Sequence, residues 1–168
     1  DMLSAAENLT QGDVYGLAVP TKVAYWWFPF QTGFGGSLFD ESGNSTLASN
    51  GSAESLDWYL SLEQVHGVVR TGTVGETMES QFIQSEAAMI VDGPWNWATY
   101  EAGRLDVGQT LLPIIEETGL RSSPLVTYKG WSVSKQSEQK IASTDLALFL
   151  SSPSVQKMFA IDTMTMPT

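Results

Sequence analysis

The chain has 168 residues and a formal net charge of −11, from 19 Asp plus Glu against 8 Lys plus Arg, with one histidine and no cysteine. Binding to nucleic acid or to an anionic membrane surface needs a basic face, and no Lys or Arg falls between Lys22 and Arg70, so both are excluded. The missing cysteines remove disulfides, thiolate zinc sites and cysteine nucleophiles, while 42% apolar content describes a globular chain of about one domain.

Taken in order, residues 1–10 predict a helix with Leu3, Ala6 and Leu9 on one side, closed by Gln11 and Gly12. Tyr15 to Val19 reads as a buried strand ended by Pro20. Thr21 is placed to cap a helix through Tyr25-Trp26-Trp27-Phe28-Pro29-Phe30, bent by Pro29 and ended by Gly33, Gly35 and Gly36. Asp40 to Asn44 has hairpin turn chemistry between Leu38-Phe39 and Ser45-Thr46-Leu47. Ala53 to Val65 predicts a helix whose wide apolar band is packed on two sides.

A further helix is expected over about 76–84, followed by a strand at Ala87 to Val91 and a helix opened by Gly93-Pro94. Val107 to Leu112 reads as a strand stopped by Pro113, and residues 116–130 as a crossing or linker. A strand at Gly130 to Ser134 then precedes an amphipathic helix carrying Ala142, Leu146, Phe149 and Leu150, and Ser152-Pro153 starts a last helix to about Ile161. This alternation predicts an α/β fold with a mainly parallel sheet flanked by helices. No repeat or low-complexity segment is present. Apolar runs such as residues 25–30 fall short of the ~18 residues that span a bilayer. The start at Asp1, without an initiator methionine or signal segment, predicts a processed chain or a piece of a longer one.

Catalytic chemistry is sparse. His66 stands alone at a helix end, where a dipole or surface role is its default, and no nucleophile elbow accompanies it. Residues 40–44 have the oxygen donors of a calcium loop, but the twelfth position is Gly51 rather than a bidentate glutamate. Gly33-Phe34-Gly35-Gly36 lacks the Lys-Ser/Thr of a phosphate loop. The reading therefore assigns no catalytic residue, no metal and no cofactor, although an acidic pair among the 19 carboxylates leaves a carbohydrate-active hydrolase as the alternative function.

What remains is aromatic. Six tryptophans are many for a chain of this size, and Tyr25-Trp26-Trp27 and Trp95-Asn96-Trp97 are clustered. Helical residues two apart point roughly 200° away from each other, so one of Trp95 and Trp97 is expected in the core and the other at a cleft. Strand-to-helix turns such as Asp92 to Trp95 lie at the carboxyl ends of strands, where open α/β sheets bind ligands. A flat ring there offers an apolar face to a pyranose while polar groups take its hydroxyls; burial of all the rings in the core is the competing reading.

The segment Glu86-Ala87-Ala88-Met89-Ile90-Val91-Asp92-Gly93-Pro94-Trp95-Asn96-Trp97 closely resembles the maltodextrin-binding branch of the bacterial extracellular solute-binding proteins. Tyr25-Trp26-Trp27 with Gly35-Gly36, the hairpin 37–47, and Gly130-Trp131-Ser132-Val133-Ser134 followed by Ser152-Pro153-Ser154 resemble further parts of that family in the same order. The resemblance implies a periplasmic-binding-protein-like type II fold of two α/β lobes that close on a ligand by a hinge. It assigns residues 1–126 to the second lobe and 127–168 to a crossing strand and helices of the first, both lobes incomplete. It implies a non-catalytic receptor that binds an oligosaccharide and delivers it to the permease subunits of an ABC importer. Such a receptor is extracytoplasmic, in a periplasm or as a cell-surface lipoprotein. Tyr25 and Trp95 would stack on sugar rings, Trp26 would add an aromatic contact, and Asp92 and Trp131 would stand at the cleft edge. The family glutamate is Val23 here and a family tyrosine is Gly75, which bears on which sugar is taken.

Overall fold

The computed structural model describes residues 2–103, 105–127 and 129–163. Asp1, Arg104, Tyr128 and residues 164–168, which the readings above include, lie outside the described residues. The chain divides into two compact units, one formed by residues 1–91 and 108–125 and the other by 92–107 and 126–168.

In the first unit four helices form: α1 (Met2–Leu9), α2 (Ala24–Gly33), α3 (Asn50–Gln64) and α4 (Gly75–Ile83). Between them run extended segments that follow the period of two. Leu17 and Val19 are buried in one core with Ala6, Phe30, Tyr59, Leu62, Val68 and Val69, whereas Ala18 is buried in a second with Met78 and Ala87. Alternate side chains of one extended segment thus feed two apolar layers, with helices on both faces. Parallel bridges join Tyr15 to Ala87 and Ala18 to Ile90 in constant register, and the Leu17 amide donates to the Val68 carbonyl at 3.0 Å. Gly16 is required by packing: a Cβ there would fall 1.9 Å from the Ala6 carbonyl oxygen.

Helices α2 and α3 pack through rings. Phe30 lies 5.2 Å from Trp58 and 5.5 Å from Tyr59, centroid to centroid, and Phe34 lies 5.8 Å from Trp58. Pro29 is buried inside α2, and its carbonyl accepts the Ser123 amide at 3.0 Å. The hairpin forms where expected, with an antiparallel bridge between Phe39 and Ser45. Asp40 Oδ1 accepts the amides of Ser42 and Asn44 at 2.9 Å each, the side-chain-to-backbone turn that favours aspartate at this position.

Several expectations are corrected. Thr21 does not cap α2. Val23 occupies the cap position without a side-chain bond, and buried Thr21 donates its hydroxyl to Glu63 instead. Helix α3 buries one face, Ser52, Ser55, Tyr59 and Leu62, while Leu56 and Val65 are exposed, so it is not packed on two sides. Among the described residues, sheet pairing consists of isolated bridges. Residues 107–112 and 130–134 form no strand, because alternating apolarity selects extended backbone but cannot supply a hydrogen-bonded neighbour.

The second unit contains a 3₁₀ turn at Pro94–Asn96 running into α5 (Trp97–Ala102), then α6 (Lys140–Leu150) and α7 (Pro153–Thr163). No residue of α6 is buried: Ile141 is 82% and Phe149 61% exposed, so its predicted apolar stripe is formed but uncovered.

Candidate functional site

In the first unit the candidate residues open α2. Successive helical residues turn by about 100°, so Tyr25, Trp26 and Trp27 rotate from solvent into the core. Tyr25 remains 44% exposed, while Trp26 packs half-buried against both cores and Trp27 against the larger one. Trp27 is pinned by its indole N–H, which donates to Ser55 Oγ at 3.0 Å. Tyr25 stands edge-on to Trp26, centroids 5.1 Å apart and planes at 87°, a favourable aromatic geometry. The Trp26 ring thus packs against the Tyr25 ring. Val23 next to them is partly exposed, and a Cβ at Gly75 would have no neighbour within 4 Å.

In the second unit the chain leaves Val91 into the Asp92-Gly93-Pro94-Trp95 turn. Proline at the first position of the 3₁₀ turn has no N–H to satisfy, which suits it to open a helical segment. Trp95 is 48% exposed and its ring lies against Gly93. The Asp92 carboxylate is the hub of the turn. Oδ1 accepts the Gly93 amide at 2.7 Å; Oδ2 accepts the Asn96 side-chain amide at 2.8 Å and the Tyr100 hydroxyl. Trp97, expected in the core if Trp95 is not, is only half-buried, its indole N–H donating to Glu101 Oε1 at 3.0 Å. The buried member of α5 is Tyr100 instead. Trp131 stands 57% exposed in a segment without regular structure.

The sequence-based expectations gave no role to the side chains of Asn96 and Tyr100, the partners of Asp92. Asn96 and Tyr100 are four residues apart, a spacing that brings side chains to one side of a helical segment, and Asp92 stands in the extended backbone just before it. His66 lies with its Nδ1 2.8 Å from Glu7 Oε1. Among the described residues no group of three or more His, Asp or Glu could hold a metal ion, and no helix is long and apolar enough to cross a membrane.

A family model described as bacterial extracellular solute-binding protein matches residues 1–168. The chain belongs to that family. It is accordingly an extracytoplasmic protein. Its fold matches the maltose/maltodextrin-binding domain MalE from Bdellovibrio bacteriovorus bound to maltotriose, with TM-score 0.89, 26% identity, and 99% of this chain and 46% of that one covered. The galactooligosaccharide-binding protein of Bacillus subtilis is 25% identical over 177 residues, 96% of this chain and 41% of that protein. A maltooligosaccharide ABC transporter solute-binding lipoprotein of Streptococcus pneumoniae is 23% identical over 151 residues, 85% of this chain and 35% of its own length. The chain thus spans less than half the length of these relatives. Membership of a solute-binding family and a MalE-like fold stand on these matches.

Proposed function

We propose that the chain is part of a non-catalytic carbohydrate receptor that hands an oligosaccharide, a maltodextrin or a related one, to the permease subunits of an ABC importer. One observation carries the reading: Tyr25 and Trp95, the rings that the resemblance assigns to sugar stacking, are both half-exposed, each backed by its own unit, in a chain with the fold of a maltotriose-bound protein. A half-exposed aromatic ring offers apolar surface to the C–H side of a pyranose.

In the first unit Tyr25 stacks on a sugar ring and Trp26 adds an aromatic contact; in the second Trp95 stacks, and Trp131 and Asp92, the latter with the acceptor capacity its turn leaves over, stand at the edge. We assign residues 1–126 to the second lobe and 127–168 to a crossing segment, which forms no strand here, and helices of the first. The receptor resides in a periplasm or is held at the cell surface as a lipoprotein; the Streptococcus pneumoniae relative is named a lipoprotein. Relatives named for galactooligosaccharide and for maltooligosaccharide both match, which supports an oligosaccharide as the class of ligand. Val23 and Gly75 are the positions that narrow it.

Ligand-observed NMR of the 168-residue chain with maltotriose and with galactooligosaccharide tests the proposal. Binding that falls at least about tenfold in Trp95→Ala and in Tyr25→Ala, equivalent to about 1.4 kcal/mol, supports it. Binding of another solute class and of no oligosaccharide overturns the substrate, and release of reducing ends overturns the non-catalytic role.

A further inference from the structure

We infer that Asn96 and Tyr100 are positioning residues for the Trp95 ring, acting through the carboxylate of Asp92; this rests on the reading of Trp95 as a sugar platform. Helix α5 has six residues, too few to be stable in isolation, so the turn before it depends on ties to its surroundings. Gly93 at its entrance offers no capping side chain and Pro94 no N–H. The tie is Asp92. Its Oδ2 is gripped by the Asn96 amide, at 2.8 Å, and by the Tyr100 hydroxyl, while Oδ1 holds the Gly93 amide at 2.7 Å.

All three bonds are accepted by carboxylate oxygens, the acceptor of the stronger, charge-assisted class of protein hydrogen bonds. Tyr100 is buried, which fixes the ring and hence its hydroxyl, and a buried hydroxyl deprived of its acceptor is costly. Gly93 is also the surface against which the Trp95 indole rests. The chain of dependence is therefore short: Tyr100 and Asn96 set the carboxylate, the carboxylate sets Gly93, and Gly93 sets the tilt of the ring. A ring already at its binding tilt spares the ligand the ordering cost of an adaptable one.

The test uses the 168-residue chain labelled with 5-fluorotryptophan, the Trp95 fluorine line being the one lost in Trp95→Phe. In Tyr100→Phe, which keeps the buried ring and removes only the hydroxyl, the Trp95 line shifts or splits while those of Trp26, Trp27 and Trp58 stay in place. Asn96→Ala moves the same line. With maltotriose as the probe, each variant weakens binding about three- to tenfold, the worth of one hydrogen bond, and the loss vanishes in a Trp95→Ala background. A Trp95 line unmoved in both variants overturns the inference, as does a lowered melting temperature with that line unmoved, which marks Tyr100 as a core residue alone. A Trp95 line that saturating maltotriose leaves in place in the unsubstituted chain overturns the sugar-platform reading instead.

Discussion

Gly93 lies directly against the indole of Trp95: a Cβ on Gly93 would fall 2.1 Å from both Cζ3 and Cη2 of that ring. The backbone there is extended, φ −99° and ψ 166°, which any residue adopts, so glycine is needed for space rather than for conformation. Gly93→Ala is expected to push the ring off its seat and to weaken maltotriose binding by at least about tenfold. Because the ring's far end can swing into solvent, the melting temperature should change little. Unaltered binding in Gly93→Ala would show that the ring's tilt is irrelevant.

Burial distinguishes two phenylalanines, one in each unit. Phe30 is fully buried between α2 and α3, and Phe30→Ala is expected to cost about 3–5 kcal/mol in urea unfolding. Phe149 on α6 is largely exposed, and Phe149→Ala should cost less than about 0.5 kcal/mol. A large loss from Phe149→Ala would mean that the α6 face is covered in solution.

Tyr59 gives an alkaline signature. Burial holds its phenol well above the ordinary value of 10.0, and its hydroxyl donates to the Pro20 carbonyl at 3.3 Å. Folding therefore favours the neutral form. The associated stability is complete below about pH 10 and declines above it, because the unfolded chain releases the proton first. Tyr59→Phe should flatten the fall in stability between about pH 10 and 11 while costing about 1 kcal/mol at neutral pH. Equal slopes in the two proteins would refute this.

Asp40 gives the opposite sign. The Asn44 side-chain amide, then the Asn44 backbone amide, hold its carboxyl below the ordinary value of 3.8, with smaller help from Ser42 and Gly43. The ionised form is favoured by folding, so this contribution is present above about pH 4 and fades as the pH falls through the lowered midpoint. In a carboxyl chemical-shift titration, Asn44→Ala should raise the Asp40 midpoint toward 3.8. The Phe39–Ser45 pairing should loosen with it; a midpoint that stays put would discard the Asn44 contact as its cause.

The sequence by itself determined what depends on neighbours along the chain. Local apolar period and turn chemistry placed α3, α4, α6 and α7 to within a few residues, and the Asp40 to Asn44 turn and the Pro94 helix start followed from side-chain chemistry alone. The family was legible in the Asp92-Gly93-Pro94-Trp95 segment and its colinear companions. Tertiary structure decided what depends on partners distant in sequence. Whether residues 107–112 pair as a strand, whether the α6 stripe is covered, and whether Thr21 caps α2 or binds Glu63 are questions of which surface arrives opposite. The same holds at the site. Composition marked Trp95 as a ring worth attention, but only packing showed that it rests on Gly93 and that Asp92 is gripped by Asn96 and Tyr100. A side chain's type states which bonds it is able to make, and the fold states which of those are within reach.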